Sequence, residues 1–582
     1  MQKTTKVMKL YRYITVAVLT AALFSSCTNL DETLYDQVGT QNYYNTKMDV
    51  VRATFRPFEH GYWSIQNRFV INELTADQLV TVTRDGWWDD SGKWRIMHDH
   101  LYNVENGQNI EGEWTGCYQG IGQCNYVIED LETLDPSRFG FSEAEFNNLK
   151  GQCRALRAWF YLRLLDEFRN VPYVVSFNDQ SLNTKNQVEP KVIFEFVESE
   201  LKECLDLLTP KASLGGNLLT QGQFSQAAAA AMLVRLYLNA EVYVGEKRYT
   251  DCATYAQNLI DGKYGPYAVA DRWDAAFDWN NETCDEVIFG FPGGKNTHWH
   301  YSGDMYWWTV PARFGYYAND RKAKEGGHNT KWAASPSYDN DGKLFTYDLG
   351  MTVQKFRKYP GDERMKCYKN LGNSKREGMF VYGRLEYVDE SGKTAAVVGP
   401  TIAYDLYIRD AVGVFHDMPA DQWPGGDSKM ENGDHNSGYH FVKYPLYQDS
   451  DEGQDQSDYT EFRLPEMIYS LAECKLREGK TDEAAKLLNS VRKRNYPQAN
   501  WSEVLYAPEG KATLDMNEML DEWGREFFAE GRRRIDLIRF GKFHNAWWDK
   551  TADPDNHTAI FPLMRSVLDA NNELKQNPGY ND

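Results

Sequence analysis

From residue 143 onward, apolar side chains recur every three or four positions. Phe146, Leu149, Cys153, Leu156, Trp159/Phe160 and Leu164 trace one face of a long helix over 143–168. That helix must end near Asn170, because the residue before Pro172 is pushed out of helical geometry. The same spacing predicts helices over Val192–Leu208, stopped by Thr209-Pro210; over Phe224–Val244; and over Tyr249–Ile260, closed by Asp261-Gly262. The Ala227–Ala231 run in the second of these lets a neighbouring helix come close. Helices return at 461–478, 481–494 and 516–539, before an extended C-terminal tail. Between about 265 and 460 the helical period vanishes. Gly, Asp, Asn, Tyr and Trp dominate there, and only short alternating pieces such as Phe380–Tyr387 predict strands. Long loops with small sheets are expected, and loops on a rigid scaffold are where binding residues gather.

Two helix pairs share a small-residue logic. Ala472 and Ala484/Ala485 fall where two antiparallel helices would touch, with Gly479 in the turn between them, as in a tetratricopeptide unit. The stretch 229–260 is similar, with an insertion between Tyr237 and Tyr249. These repeats are too few for a regular array. The fold class they predict is mostly α: tetratricopeptide-like helix pairs forming a scaffold, packed against a loop-rich part with short strands.

The chain opens with Lys3, Lys6, Lys9 and Arg12, then an apolar run from Tyr13 to Phe24. That run is shorter than the ~20 residues needed to cross a bilayer, and the order of charge and apolarity is that of a secretory signal peptide. Leu23-Phe24-Ser25-Ser26-Cys27 resembles a bacterial lipobox, which would make Cys27 the acylated first residue of the mature chain. Acyl chains on one cysteine suffice to hold a folded domain on a membrane. Asp31 and Glu32 follow, and acidic residues there resemble the surface-export signal of Bacteroidota lipoproteins. Eight cysteines remain beyond Cys27. No CxxC occurs, and Cys153, Cys204, Cys252 and Cys474 lie in helical stretches among Leu and Ala, which suits small buried hydrophobes better than a disulfide framework.

Composition narrows the function. The 582 residues carry 64 basic and 84 acidic side chains, a net charge of −20, which argues against nucleic acid as a partner. Aromatics make up 14 % (17 Trp, 37 Tyr, 28 Phe), more than a core needs, because the polar tips of Trp and Tyr must find partners when buried. Some of these rings should face a ligand.

Five segments together resemble the SusD/RagB family of glycan-capturing outer-membrane lipoproteins. They are LDETLYDQV just after Cys27, RALRAWFYLRLLDEFRNVPYV (154–174), FRLPEMIYSLAECKLREGKTDEAAKLLNSVRKR (462–494), WGREFFAEGRRRIDLIRFGKF (523–543) and LKQNPGY (574–580). Each is modest alone; their order along the chain gives the resemblance its weight. It implies a SusD-like fold, an outer-membrane location through the lipid anchor, and a SusC-like TonB-dependent transporter for which the protein acts as a lid. The corresponding organisation is 1–26 signal peptide, 27–40 lipidated Cys and tether, 41–265 N-terminal helical part, 266–460 loop-rich ligand-binding part, and 461–582 C-terminal helical part. Residues 290–450 carry little of the resemblance, so ligand identity should reside there.

A sugar ring presents hydroxyls at its edge and an apolar C–H face that indole and phenol rings match. Three clusters fit such a site. Trp87, Trp88 and Asp89, with Trp94 close behind, sit among acids and Gly in a pattern no amphipathic helix would use. Trp299 lies between His298 and His300, followed by Tyr306, Trp307 and Trp308. Lys331-Trp332, near Tyr338, forms a third and weaker candidate. The alternative for every cluster is that the rings plug loop cores.

Other patterns read as structural. His98/His100 and His298/His300 lack a third metal ligand, Ser337–Asp348 imitates a calcium loop with Ser in the first position, and Arg532-Arg533-Arg534 pairs with nearby acids more readily than it binds phosphate. No metal or cofactor is expected. Eighty-four acids guarantee some carboxylate pair, so their number does not argue for a glycosidase; no GxSxG, HExxH or P-loop is present. The expected function is non-catalytic capture of oligosaccharide or polysaccharide and its delivery to the transporter. The alternatives are a glycoside hydrolase on a helical scaffold and a helical-repeat lipoprotein that binds peptide.

Overall fold

Seven helices pack each against the next in one row: α2 (Ile110–Thr133), α3 (Glu143–Glu167), α4 (Pro190–Leu207), α5 (Gln226–Leu238), α6 (Tyr249–Ile260), α7 (Leu464–Arg477) and α8 (Thr481–Arg492). The row is seen in a computed structural model that describes residues 43–88, 90–178, 185–215, 222–293, 301–318, 331–372, 375–445 and 457–581. The chain separates into two units, Met1–Val50 and Val51–Asp582. In the first, the Asp49 carboxylate accepts from the Thr46 backbone N–H at 2.8 Å at the start of helix α1 (Lys47–Glu73). The helix row and the loops belong to the second.

Local chemistry sets the helix ends. Ser142 and Glu145 form a reciprocal capping box at the start of α3, with Ser142 Oγ accepting from Glu145 N at 3.2 Å and Ser142 N donating to Glu145 Oε2 at 2.8 Å. Ser225 caps α5, and its buried Ala227–Ala231 stripe faces neighbours on both sides. Gly120 lets α2 and α3 approach closely: a Cβ there would stand 2.2 Å from the Phe160 ring. Two predicted helices are broken. Phe224–Val244 divides at Asn239, and 516–539 divides into α9 (Met516–Glu526) and α10 (Arg533–Arg539). At the second break Ala529 and Gly531 take positive φ, and the Glu530 carboxylate turns inward to bond Arg463 and Lys443.

Residues 261–463 are inserted between α6 and α7 without disturbing the row. Strand β2 (Val287–Phe291) pairs antiparallel with β4 (Tyr459–Arg463), Tyr459 opposite Phe291 and Arg463 opposite Val287, so both ends of the insertion are clamped to each other. Strand β1 (Leu79–Val80) pairs antiparallel with β3 (Ala333–Ala334), which fixes the loop after α1 against the middle of the insertion. The predicted 380–387 strand is three fragments, Phe380–Val381, Gly383–Arg384 and Glu386–Val388; the first pairs with His440–Phe441 and the second with Tyr407–Ile408. Gly383 at φ 72 turns the chain between them. Beneath these loops lies a core cluster of Val80, Val82, Ala333, Val412, Met430 and Trp548.

Buried guanidinium–carboxylate contacts bind the scaffold. Arg463 reaches Glu286 (3.1 Å), Glu526 (2.7 Å) and Glu530 (2.9 Å), Arg539 reaches Glu473 (2.9 Å), and Arg235 reaches Glu461 (2.7 Å). The Arg532–Arg534 run is absorbed in the same way, by Asp536 (3.0 Å), Asp77 (2.7 Å) and Asp166 (3.4 Å). All eight cysteines beyond Cys27 are free thiols, six of them buried, including the four placed in helices. Among the described residues no helix is long and apolar enough to cross a membrane.

Candidate functional site

The sequence Arg84-Asp85-Gly86-Trp87 folds as the tightest possible hairpin. Arg84 N donates to Trp87 O at 2.9 Å and Trp87 N to Arg84 O at 3.0 Å, while Asp85 and Gly86 take φ of 53° and 81°. Two left-handed central residues define the turn that Asp-Gly favours. Its product is an indole held away from the body: Trp87 is 54 % exposed. Trp88 is half-buried against the Val80/Val82/Met430 cluster. The Asp90 carboxylate then accepts from the backbone N–H groups of Gly92 (2.9 Å) and Trp94, starting the short helix Lys93–His98.

Three clusters far apart in sequence meet here. The Trp332 ring lies 5.4 Å from Trp94, 5.2 Å from Trp308 and 5.2 Å from Phe69. Lys331 places its ammonium 5.1 Å from both the Trp94 and Trp308 rings, and Lys331 N and Trp332 N both donate to Trp308 O. This convergence places Trp94, Tyr306, Trp308 and Trp332 inside: all four are buried, Trp332 to 1 % exposure. The expectation that each offers a free face is corrected for these four, because neighbouring rings and Lys331 occupy the faces that a ligand would need. Trp307 is half-buried, its ring edge-to-face with Tyr306 at 5.3 Å. Asp89, Trp299 and Cys27 lie outside the described residues.

The exposed turn is pinned by a carboxylate that the sequence reading did not single out. The Asp85 side chain is wholly buried; it accepts from Tyr404 Oη at 2.9 Å, stands 3.3 Å from His416 Nε2 and 3.7 Å from His435 Nε2, while its backbone N donates to Gly433 O. Asp434 anchors the opposing loop by accepting from the backbone N–H groups of Phe415 and His416, each at 2.7 Å. Arg84 lies beneath and donates through Nη1 to the carbonyls of Asp434 (3.1 Å) and Ser437 (3.0 Å). Burial lowers the Arg84 guanidinium to about 10 even though Asp434 pulls it upward. Burial, with the charges of Arg84 and Arg313, lowers His435 to about 3, so this imidazole is neutral at physiological pH. The Asp-Gly dipeptide signalled the turn; nothing local signalled that Tyr404 and His416 would close on it.

The other candidates resolve as structure. His98 ends a short helix and His100 follows it: His98 Nε2 bonds Trp548 O at 3.0 Å, and His100 is held by Asp553 (2.7 Å) and Thr75 O (2.8 Å). His298 and His300 fall outside the described residues. Ser337–Asp348 contains a tight polar turn in which Asp339 accepts from the N–H groups of Asp341 (2.9 Å) and Lys343 (2.8 Å). Clefts of about 640 Å³, bordered by Tyr102, His557 and Tyr580, and about 340 Å³, bordered by Trp114, Tyr118 and Pro172, are not lined by any of these indoles.

Comparison with known proteins places this architecture. The sequence model of the SusD family matches residues 420–580, and a second, described as "Starch-binding associating with outer membrane", matches 63–238. The chain is similar to the starch-binding protein SusD of Bacteroides thetaiotaomicron, 24 % identical over 557 residues, spanning 90 % of this chain and 86 % of the relative. Among solved structures it resembles NanU of B. fragilis (TM-score 0.65, 18 % identity, 94 % of this chain and 100 % of that one) and a laminarin-binding SusD-like protein (TM-score 0.64, 16 % identity, 92 % and 100 %).

Proposed function

Because the chain belongs to the SusD/RagB family, we propose that it is a glycan-binding lipoprotein at the outer membrane that captures oligosaccharide or polysaccharide and hands it to a SusC-like TonB-dependent transporter. One observation carries the ligand assignment: Trp87 is an exposed indole on a turn whose geometry is locked by Asp85. An aromatic face open to solvent and rigidly held suits the C–H face of a sugar ring, since little freedom remains to be lost on binding. Trp88 and Trp307, both half-buried, are the further indoles this reading assigns to the ligand. The names of the similar proteins, starch-binding and laminarin-binding, support the same ligand class. The role is binding without turnover, with Cys27 as the acylated anchor on the cell surface.

The test is native electrophoresis of the detergent-solubilised full chain through gels containing soluble starch, laminarin, xylan, polygalacturonate or mucin O-glycans, with a parallel assay for new reducing ends. Retardation by at least one glycan, with no new ends, is expected. Migration unchanged in all five gels overturns the glycan reading; turnover that disappears on replacing a single carboxylate overturns the non-catalytic one.

A further inference from the structure

The geometry points to a second wall of the binding site, formed by loops 402–404 and 414–416, in which His416 accepts a hydrogen bond from a sugar hydroxyl; this rests on the glycan reading above. The two loops lie more than three hundred residues from Trp87 in sequence, yet both close on the same carboxylate. Tyr404 donates to Asp85 at 2.9 Å, and His416 Nε2 stands 3.3 Å from it. Each of the three segments that meet at Asp85 leaves an apolar side chain in solvent two positions away: Trp87 (54 % exposed), Ile402 (45 %) and Val414 (44 %). Single exposed apolar residues are ordinary; here each of the three stands two residues from one buried carboxylate or from a group that meets it, and the proposal is that together they make one binding surface.

His416 gives the patch its polar specificity. Its side chain is 38 % exposed, while the Asp85 it faces is 0 % exposed. A carboxylate can only accept, so in the neutral imidazole the Asp85 contact places the ring proton on Nε2 and leaves Nδ1 with a lone pair. The Tyr404 ring lies 4.8 Å away and fixes the imidazole plane. His416 also holds a φ of 36°, which L-residues rarely adopt, and the two Asp434 hydrogen bonds to the Phe415 and His416 backbone maintain it. Strain so braced marks a position where orientation matters. The ligand class is therefore a sugar chain whose apolar face lies on Trp87, Ile402 and Val414 and whose free hydroxyl donates to His416 Nδ1.

The five glycans of the retardation gels are the probes, run against wild type, Trp87→Ala, His416→Phe and Ile402→Ser/Val414→Ser. Phenylalanine keeps the ring packing on Tyr404 but has no nitrogen. On whichever glycan Trp87→Ala loses, His416→Phe should bind about tenfold more weakly and the double variant at least as weakly, with thermal midpoints near that of wild type. The fully O-methylated form of that glycan, with no hydroxyl left to donate, should not distinguish His416→Phe from wild type. If wild type and Trp87→Ala differ while the loop variants match wild type, the second wall is wrong and the glycan reading survives. Equal losses by His416→Phe on native and methylated glycan would reduce His416 to a packing role and refute its hydrogen bond. If wild type binds none of the five, both readings fall together.

Discussion

Removing the exposed indole tests the site most directly. Trp87 is 54 % exposed, and a Trp side chain that can bury 150–250 Å² therefore leaves on the order of 100 Å² in water. A sugar covers one face, roughly half of that, and loses a similar area of its own. The total is again ~100 Å², or ~2.5 kcal/mol at ~25 cal/mol per Å². Ordering costs reduce the realised part, so Trp87→Ala should raise Kd by roughly 10- to 60-fold, at about 1.4 kcal/mol per decade. Stability should hardly move, because exposed substitutions away from caps and cores stay within about 0.5 kcal/mol. Isothermal titration with the glycan that retards the full chain gives the first quantity, and a urea midpoint gives the second. Unchanged affinity in Trp87→Ala would refute the reasoning at its root, whatever the other indoles do.

Trp332→Ala should behave in the opposite way: the ring is 1 % exposed and wedged between Trp94, Trp308 and Phe69, so the expected loss is ~3–5 kcal/mol of stability, read from the urea midpoint. Glu461→Gln should cost about 3–5 kcal/mol as well, because Arg68, Arg235 and the Trp159 indole N–H all converge on that carboxylate and the two guanidiniums would be left facing an uncharged amide. Acid should unfold the protein. Burial raises Glu461, Asp77 and Glu518, but Arg68 and Arg235, Arg533 and Arg525 respectively overcome it and hold each near 2, so their contribution is present above the ordinary carboxylate range and lost as pH falls from about 4.5 toward 2. Burial lowers His98 to about 3 and His100 to about 4, which adds a loss beginning below about pH 6.5; below about pH 4.5, where the ion-paired carboxylates add to it, the thermal midpoint should fall steeply. Glu73 runs the other way. Burial raises it to about 7, so its contribution is lost as pH rises through that value, and Glu73→Gln should raise the midpoint more at pH 8 than at pH 4. Cys27→Ser should move the protein from the membrane fraction to the soluble fraction on cell fractionation; continued sedimentation with membranes would remove the acyl anchor.

The helix row was legible because its information is local. The 3.6-residue period and the Thr209-Pro210 and Asp261-Gly262 stops fixed most helix ends to within three residues, and Tyr249–Ile260 coincides at both ends. Sequence reading failed where a distant side chain overrides periodicity. The apolar rhythm of 516–539 runs on through Ala529, Glu530 and Gly531, but Arg463 and Lys443, both remote in sequence, draw Glu530 inward and break the helix. The site divides along the same line. The segments singled out for their aromatics do converge, with Trp94, Trp308 and Trp332 in contact, but composition cannot distinguish a ring that stacks on other rings from one that stands in water. For Trp87 the distinction lies in the Asp85-Gly86 turn, whose positive φ values lift the indole into solvent. Tyr404, His416 and Asp434 had no local signal, because an isolated tyrosine or histidine in a loop becomes informative only when its partner is known.

The division of labour between scaffold and loops follows from how little free energy one sugar face supplies. A gain of ~2.5 kcal/mol per platform is comparable to the cost of ordering one or two loop residues, each ~1–2 kcal/mol for the backbone alone. Loops that had to fold around the ligand would cancel it. The long insertion and the loop after α1 avoid this by side-chain hydrogen bonding in place of secondary structure: the Asp85 carboxylate accepts from the Tyr404 hydroxyl, Asp434 accepts from the Phe415 and His416 backbone, and Asp90 starts the Trp94 helix. Asp434 and Asp90 fix backbone beside an imidazole or indole ring, and Asp85 fixes a phenol and an imidazole directly. The β2–β4 clamp and the arginine–glutamate lattice beneath it keep the ends of the insertion from moving apart. The buried charge of the scaffold and the carboxylates of the loops thus serve one end: the order that weak stacking cannot itself supply is already present before a ligand arrives.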